Sequence, residues 1–115
     1  MMKKKITASV IRKYADITGD KASIHLHEDS ARKAGYKAPI AHGMYIMGLA
    51  QSIYLAEHQT HWIESYSMQF HKPLVQDSTV SFAYETCDGD IQVTVTAEDS
   101  EVIAKGVFSV KEGVI

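Results

Sequence analysis

Hydrophobic spacing changes character part-way along the chain. From residue 66 onward apolar and polar positions alternate. Tyr66, Met68 and Phe70 interleave with Ser67, Gln69 and His71, and Val80, Phe82 and Tyr84 repeat the pattern. Ile91, Val93, Val95 and Ala97 follow, and then Val102, Ala104, Gly106, Phe108 and Val110. A period of two predicts strands with one buried face. The first of them ends near Pro73. Asp88-Gly89-Asp90 predicts a hairpin turn and Glu98 to Glu101 a second turn. Gly106 marks either a bulge or a close backbone approach.

The earlier half reads differently. Lys4 to Ala8 alternates weakly and predicts a short strand. Ser9 then caps a helix whose apolar face is Val10, Ile11, Tyr14 and Ala15, with Gly19 ending it in the left-handed conformation. Asp20 to Leu26 is expected to be non-helical. Glu28 to Ala34 is a short polar helix stopped by Gly35, and Tyr36 to Ile40 is a connector in which Pro39 keeps Ala38 out of the helical region. From Ala41 to His58 the pattern predicts one helix about 27 Å long. Its Met44–Ala50 run is apolar on every side, which in a water-soluble protein means that it is surrounded. About five mostly antiparallel strands around one buried helix make an α+β protein with a single domain over residues 1–115. A lone sheet of this kind leaves its edges open, so a two-fold homodimer, or a higher oligomer built from it, is expected.

Composition narrows the partners. A chain of 115 residues supports one modest core. The formal charge of −2, with only Lys3-Lys4-Lys5 as a basic run, argues against nucleic acid. The Met44–Ala50 run falls short of the roughly 18 apolar residues of a membrane span. No apolar segment follows the leading lysines, so no secretory signal is expected. Cys87 has no partner for an internal disulfide, and a cytoplasmic location follows as the expectation. With no flanking His or Cys cluster, Cys87 is assigned to strand packing.

Candidate chemistry lies between Tyr14 and Leu49. Asp20 and His25 follow a Thr-Gly turn. A carboxylate and an imidazole sharing one water can orient it, take its proton and return a proton to substrate. The same spacing also suits an Asp that caps a turn beside an unrelated His. Gly43 stands near the start of the long helix, where free amides and the positive end of the helix dipole would stabilise a developing oxyanion. It also suits plain chain entry into the helix. His42 either caps that helix or contacts ligand. His25-x-His27 and His58-x2-His61 lack a third ligand at a known spacing, so no metal is expected. Ser23, Ser30 and Ser52 lack a triad context.

Thr18-Gly19-Asp20-Lys21-Ala22-Ser23-Ile24-His25 and Ile40-Ala41-His42-Gly43-Met44 together resemble the paired motifs of the MaoC-like, (R)-specific enoyl-CoA hydratase family of hot-dog proteins. Phe70-x-Lys72-Pro73-Leu74 resembles that family's later strand end. The resemblance spans nearly the whole chain. It implies a hot-dog fold, with Asp20 and His25 as the catalytic pair and Gly43 as the oxyanion donor. Ile40, His42 and Met44 would adjoin the substrate. The implied reaction is reversible syn addition of water to a trans-2-enoyl thioester of coenzyme A or acyl carrier protein, giving a (3R)-3-hydroxyacyl thioester. The resemblance implies no cofactor, and a site near the dimer interface. The sequence departs from the family at Ala22-Ser23, where Asn-Pro is usual, and at Asp77-Ser78, where Gly-Asp is usual. Lys21, Arg32, Lys33 and Lys37 are candidates for coenzyme A phosphates or simply solvated charges. A hot-dog thioesterase and a non-catalytic acyl-binding subunit of a heteromeric hydratase remain as alternatives.

Overall fold

The computed structural model describes residues 2–113. Strand β1 (Met2–Ile6) is followed by helices α1 (Ala8–Thr18), α2 (Ser23–Leu26), α3 (Glu28–Lys33) and α4 (Gly43–Glu57). Strands β2 (His61–Phe70), β3 (Ser78–Cys87), β4 (Asp90–Ala97) and β5 (Val102–Glu112) complete the order. Met1, Val114 and Ile115, included in the expected 1–115 domain, lie outside the described residues. The five strands form one sheet in the order β1-β3-β4-β5-β2, every neighbouring pair antiparallel. Ile46, Ala50, Ile53 and Tyr54 of α4 share one buried cluster with Val80, Phe82, Val93, Val95, Ala104 and Phe108 of the sheet. This is the hot-dog arrangement expected from the sequence.

Local chemistry explains where the boundaries fall. Thr7, not Ser9, opens α1: its side-chain oxygen accepts the Val10 amide at 3.1 Å, so the strand must end by Ile6. Gly19 closes α1 at φ 81°, donating its amide to the Ala15 carbonyl at 2.8 Å. The segment after it is not wholly non-helical, since Ser23–Leu26 makes one helical turn. That turn is anchored by the Ile40 amide, which donates to the Ile24 carbonyl at 3.1 Å. Helix α4 begins two residues later than expected. The Ala41 amide is spent on the Leu74 carbonyl, Ile40 bridges to Val75, and the backbone stays extended through His42.

A single copy of the sheet covers only one side of α4. Ile46 and Ala50 are buried, whereas Met44 is 67% exposed and Gly48 is also exposed. The all-round apolar run is therefore not surrounded within one chain. Two tyrosines tie the covered side down: Tyr66 of β2 donates to the Met47 carbonyl and Tyr84 of β3 to the Ala50 carbonyl, at 2.8 and 2.6 Å. Burial raises both phenols, Tyr66 to about 12, so each keeps its proton and remains a donor.

Two bulges adjust the sheet. Between Ile63 and Ser65 the pairing with β5 shifts, and the inward positions move from Ile63 to Tyr66 and Met68. In β5 the shift falls at Ile103, where Val95 faces Ala104 and Thr96 faces Val102, leaving Ile103 and Ala104 both buried. Gly106 is thus not the bulge but the close approach: a Cβ there would lie 2.9 Å from Met68 Cε and 3.1 Å from Val93 Cγ1. The β3–β4 hairpin turns on Asp88 and Gly89, both at positive φ, as the Asp-Gly pair predicts. Cys87 is exposed, not packed, because it has the opposite parity to the inward Val80 and Phe82.

Candidate active site

Thr18, Gly19 and Asp20 act as one unit. The Thr18 hydroxyl donates to the Tyr14 carbonyl at 2.8 Å and accepts the Asp20 amide at 3.3 Å, while Asp20 Oδ1 accepts the Ala22 amide at 3.4 Å. The chain then turns through α2, which presents His25. A Schellman-type end at Gly35, with Tyr36 N donating to Ala31 O and Gly35 N to Arg32 O, sends Tyr36 back toward the same end of α4.

Three long-range bonds fasten this loop to the segment that enters α4. The Ile40 amide meets the Ile24 carbonyl, His25 Nδ1 lies 2.7 Å from the Ile40 carbonyl, and His42 Nε2 lies 2.9 Å from the Asp20 carbonyl. A carbonyl only accepts, so the first imidazole carries its proton on Nδ1 and the second on Nε2. His25 Nε2 is left as a lone-pair acceptor. The two rings stack at 3.8 Å and 19°, and Tyr14 leans on His42 at 4.8 Å. His42 is 2% exposed, and its Nδ1 is buried with no hydrogen-bond partner among the described residues.

One cleft of about 310 Å³ opens at this end of α4, lined by His25, Tyr36, Ile40, Gly43, Phe70 and Leu74 among others. Gly43 is the first residue of α4. The Tyr45 and Ile46 amides both close on the His42 carbonyl, so the Gly43 and Met44 amides come before the first helical closures. The Phe70 ring lies across Gly43, 3.3 Å from where a Cβ would stand. Phe70 was expected as an inward strand residue, but it ends β2 at 43% exposure and walls the cleft instead. Lys72, also on the wall, is held by Glu101 at 2.8 Å, a contact that raises its pKa. A larger hollow of about 540 Å³ is lined by Ser67, Gln69, Glu85, Gln92 and Lys105, and none of the candidate residues lines it.

Of the sequence candidates, His25, Ile40 and Gly43 line the cleft. Asp20 stands beside it with its side chain 55% exposed and Oδ2 4.0 Å from His42 Nε2. His42 lies behind the cleft, buried, and Met44 points away from it into solvent; the structure does not set either of them on its wall. Helix phase explains Met44, which falls on the stripe of α4 that the sheet leaves open. Phe70 and Tyr36 went unrecognised as site residues, since only tertiary packing brings them to Gly43.

Asp20, His25 and His42 each offer a donor atom within 4.8 Å of the others. A tetrahedral zinc with bonds of about 2.0–2.2 Å draws its ligand atoms to about 3.3–3.6 Å of one another. This spacing is wider, and one nitrogen of each imidazole is already held by a main-chain carbonyl. A single water making two bonds of about 2.8 Å spans the gap without rearrangement.

A family model described as "MaoC like domain" matches residues 2–107. The chain is 40% identical to 3-hydroxybutyryl-CoA dehydratase of Methylorubrum extorquens over 53 residues, 46% of this chain and 34% of that protein. It is 30% identical to 3-hydroxyacyl-thioester dehydratase X of Mycobacterium tuberculosis over 93 residues, 79% of this chain and 32% of that protein. The chain spans about a third of the length of these curated relatives. Among solved structures, the ChsH1-ChsH2 complex from Mycobacterium tuberculosis superposes with a TM-score of 0.83 at 21% identity, covering 96% of this chain and 91% of that one. At that identity the likeness speaks for the fold.

Proposed function

The chain belongs to the MaoC-like domain family, and on that premise we propose that it interconverts trans-2-enoyl and (3R)-3-hydroxyacyl thioesters of coenzyme A or acyl carrier protein. One observation carries the reading: a carboxylate, a free imidazole nitrogen and a helix N-terminus converge at one end of one apolar-walled cleft. A water there donates one O–H to Asp20 and the other to His25 Nε2, which leaves its lone pair free for C3. As the O–C3 bond forms, the C2–C3 π pair moves toward C2 and the thioester oxygen, where the Gly43 amide stabilises it. Asp20 takes the proton lost by water and delivers it to C2. Oxygen and proton arrive from the same side, so the addition is syn.

The open side of Asp20 and the exposed Met44–Gly48 stripe are what a second copy would cover, and β2 lies at a sheet edge available for pairing. A homodimer is therefore part of the proposal. Light scattering at micromolar concentration checks it, and a stable monomer refutes it. The same open stripe and free sheet edge would suit a different partner chain, and a heteromeric assembly is the second reading. A thioesterase has less support, because the one carboxylate of α4, Glu57, is its last residue. Among the described residues no helix is long and apolar enough to cross a membrane. The single cysteine, Cys87, is what supports the cytoplasmic location we propose.

Crotonyl-CoA and a longer enoyl-CoA, followed by loss of enoyl absorbance with thiol release read in parallel, test the activity. Hydration without thiol release, lost about 10²–10⁴-fold in Asp20→Asn and in His25→Ala, is the expected result. Thiol release points to a thioesterase. Tight binding without turnover points to the subunit reading.

A further inference from the structure

We infer that His42 is a positioning residue for the Asp20–His25 pair, fixing through one side chain the distance between the carboxylate loop and the amides of α4. The inference rests on the hydration reading for its kinetic arm only. His42 is the N-cap residue of α4, yet its side chain makes no capping bond. It turns away from the helix and reaches the Asp20 carbonyl, 22 positions back in the chain, at 2.9 Å. Its own carbonyl accepts the Tyr45 and Ile46 amides. The residue therefore grips α4 with its backbone and the loop with its ring, and Gly43 is bonded directly to it.

The ring face has a second use. His25 lies on it at 3.8 Å, so the imidazole that lines the cleft is held by the Ile40 carbonyl at one edge and by His42 across its plane. An ordinary core histidine satisfies both nitrogens. Here Nε2 spends its proton on the Asp20 carbonyl, 22 positions away, and among the described residues that is the one hydrogen bond the ring makes. The titratable groups around His42 are Asp20, whose Oδ2 is 4.0 Å from Nε2, the stacked His25, and Tyr14 on α1. His71 and Lys72 stand on the wall of the adjoining cleft.

Two substitutions separate the functions of the side chain. His42→Phe keeps a flat ring under His25 but removes the donor to Asp20; His42→Gln keeps an N–H donor and gives up the ring. Loss of placement acts on kcat, so His42→Phe is expected to lower kcat about 100-fold with KM within about threefold and the fold intact by circular dichroism. His42→Gln is expected to recover about tenfold of that loss by restoring the donor. In the wild-type chain, nitrogen-15 spectra of the histidine side chains should show His42 protonated on Nε2. The Asp20 and Lys21 amide resonances should shift in His42→Phe. Wild-type kcat in His42→Phe, no recovery in His42→Gln, or a wild-type His42 protonated on Nδ1 alone would each overturn the assignment. The spectra need no turnover. A wild-type chain that hydrates no enoyl thioester defeats the functional reading, and the tautomer and the Asp20 amide still decide this one.

Discussion

The two ends of α4 hold nearly the same chemistry to different effect. At its start, His25 and His42 stack beside Asp20. At its end, His58 and His61 stack with Tyr54 beside Glu112. In the far cluster Tyr54, His61 and Glu112 close one another's valences, and the nitrogen left over, Nε2 of His58, belongs to an exposed ring. Tyr54 donates to His61 Nδ1 at 2.8 Å, His61 donates from Nε2 to Glu112 at 3.0 Å, Thr60 donates to the other Glu112 oxygen, and His58 donates from Nδ1 to the Tyr54 carbonyl. Burial, and then the Glu112 charge, raise the Tyr54 pKa and keep the phenol a donor. The near cluster leaves His25 Nε2 uncommitted and faces a cleft at the positive end of the helix dipole. Residue type does not separate a reactive histidine from a structural one. The separation comes from where the open valence lies: on a cleft wall at the positive end of the dipole for His25, on an exposed ring at the other end for His58.

Substitutions at each end test that contrast, and the largest effects belong to the start of α4. Asp20→Asn and His25→Ala should each cost about 10²–10⁴-fold in hydration. Asp20→Asn should leave thermal unfolding nearly unchanged, because Asp20 is half exposed, whereas His25→Ala also gives up the bond to the Ile40 carbonyl, about 1 kcal/mol. At the far end the signs exchange. Tyr54→Phe leaves His61 Nδ1 without its donor in a partly buried place, which costs about 1–2 kcal/mol, or about 4–8 °C in Tm, with kcat within about twofold of wild type. A Tyr54→Phe chain that unfolded at the wild-type temperature would remove the far cluster from the list of structural ties. Gly106→Ala should destabilise by about 1–3 kcal/mol, measured by urea unfolding. Met68 can yield to the new methyl, but Val93 and the Ser67 carbonyl, both at 3.1 Å, yield less.

The same contrast governs what could be read in advance. Val80, Phe82, Val93 and Val95 were legible because each alternates on an unbroken strand, and Asp88-Gly89 because a two-residue turn at positive φ needs those residue types. The start of β2 was hidden, since the bulge after Ile63 reverses inward and outward and erases the period of two. Ile103 was missed for the same reason, and Thr7 because Ser9 presents the same capping chemistry two residues later. The motifs named Asp20, His25 and Gly43, but the bonds that gather them run from α2 to the Ile40 segment and from His42 to Asp20. Such bonds join residues 15 to 22 positions apart, and local patterning carries no trace of them. The exposed stripe of α4 shows the converse: the apolar run is plain in the sequence, while a single chain provides no cover for it.

Glu112 supplies the smallest expected effect and the finest test of the contrast. The Thr60 hydroxyl, and after it the His61 ring, donate to its carboxylate and hold its pKa below the usual 4.5. A group depressed in the folded state binds fewer protons there than in the unfolded chain. Its contribution is therefore fully present above the unfolded value and is lost as pH falls through the lower folded one. Since Glu112 lies in solvent, the effect is modest and is read best as a difference. Wild type should unfold at a higher temperature than Glu112→Gln at pH 6, and the two curves should converge as the pH falls below about 4.5. The pH profile of hydration should be the same in both proteins, because no bond of the near cluster passes through Glu112. A Glu112→Gln chain that altered that profile would show the two ends of α4 to be coupled, and the division between a structural cluster and a reactive one would no longer stand.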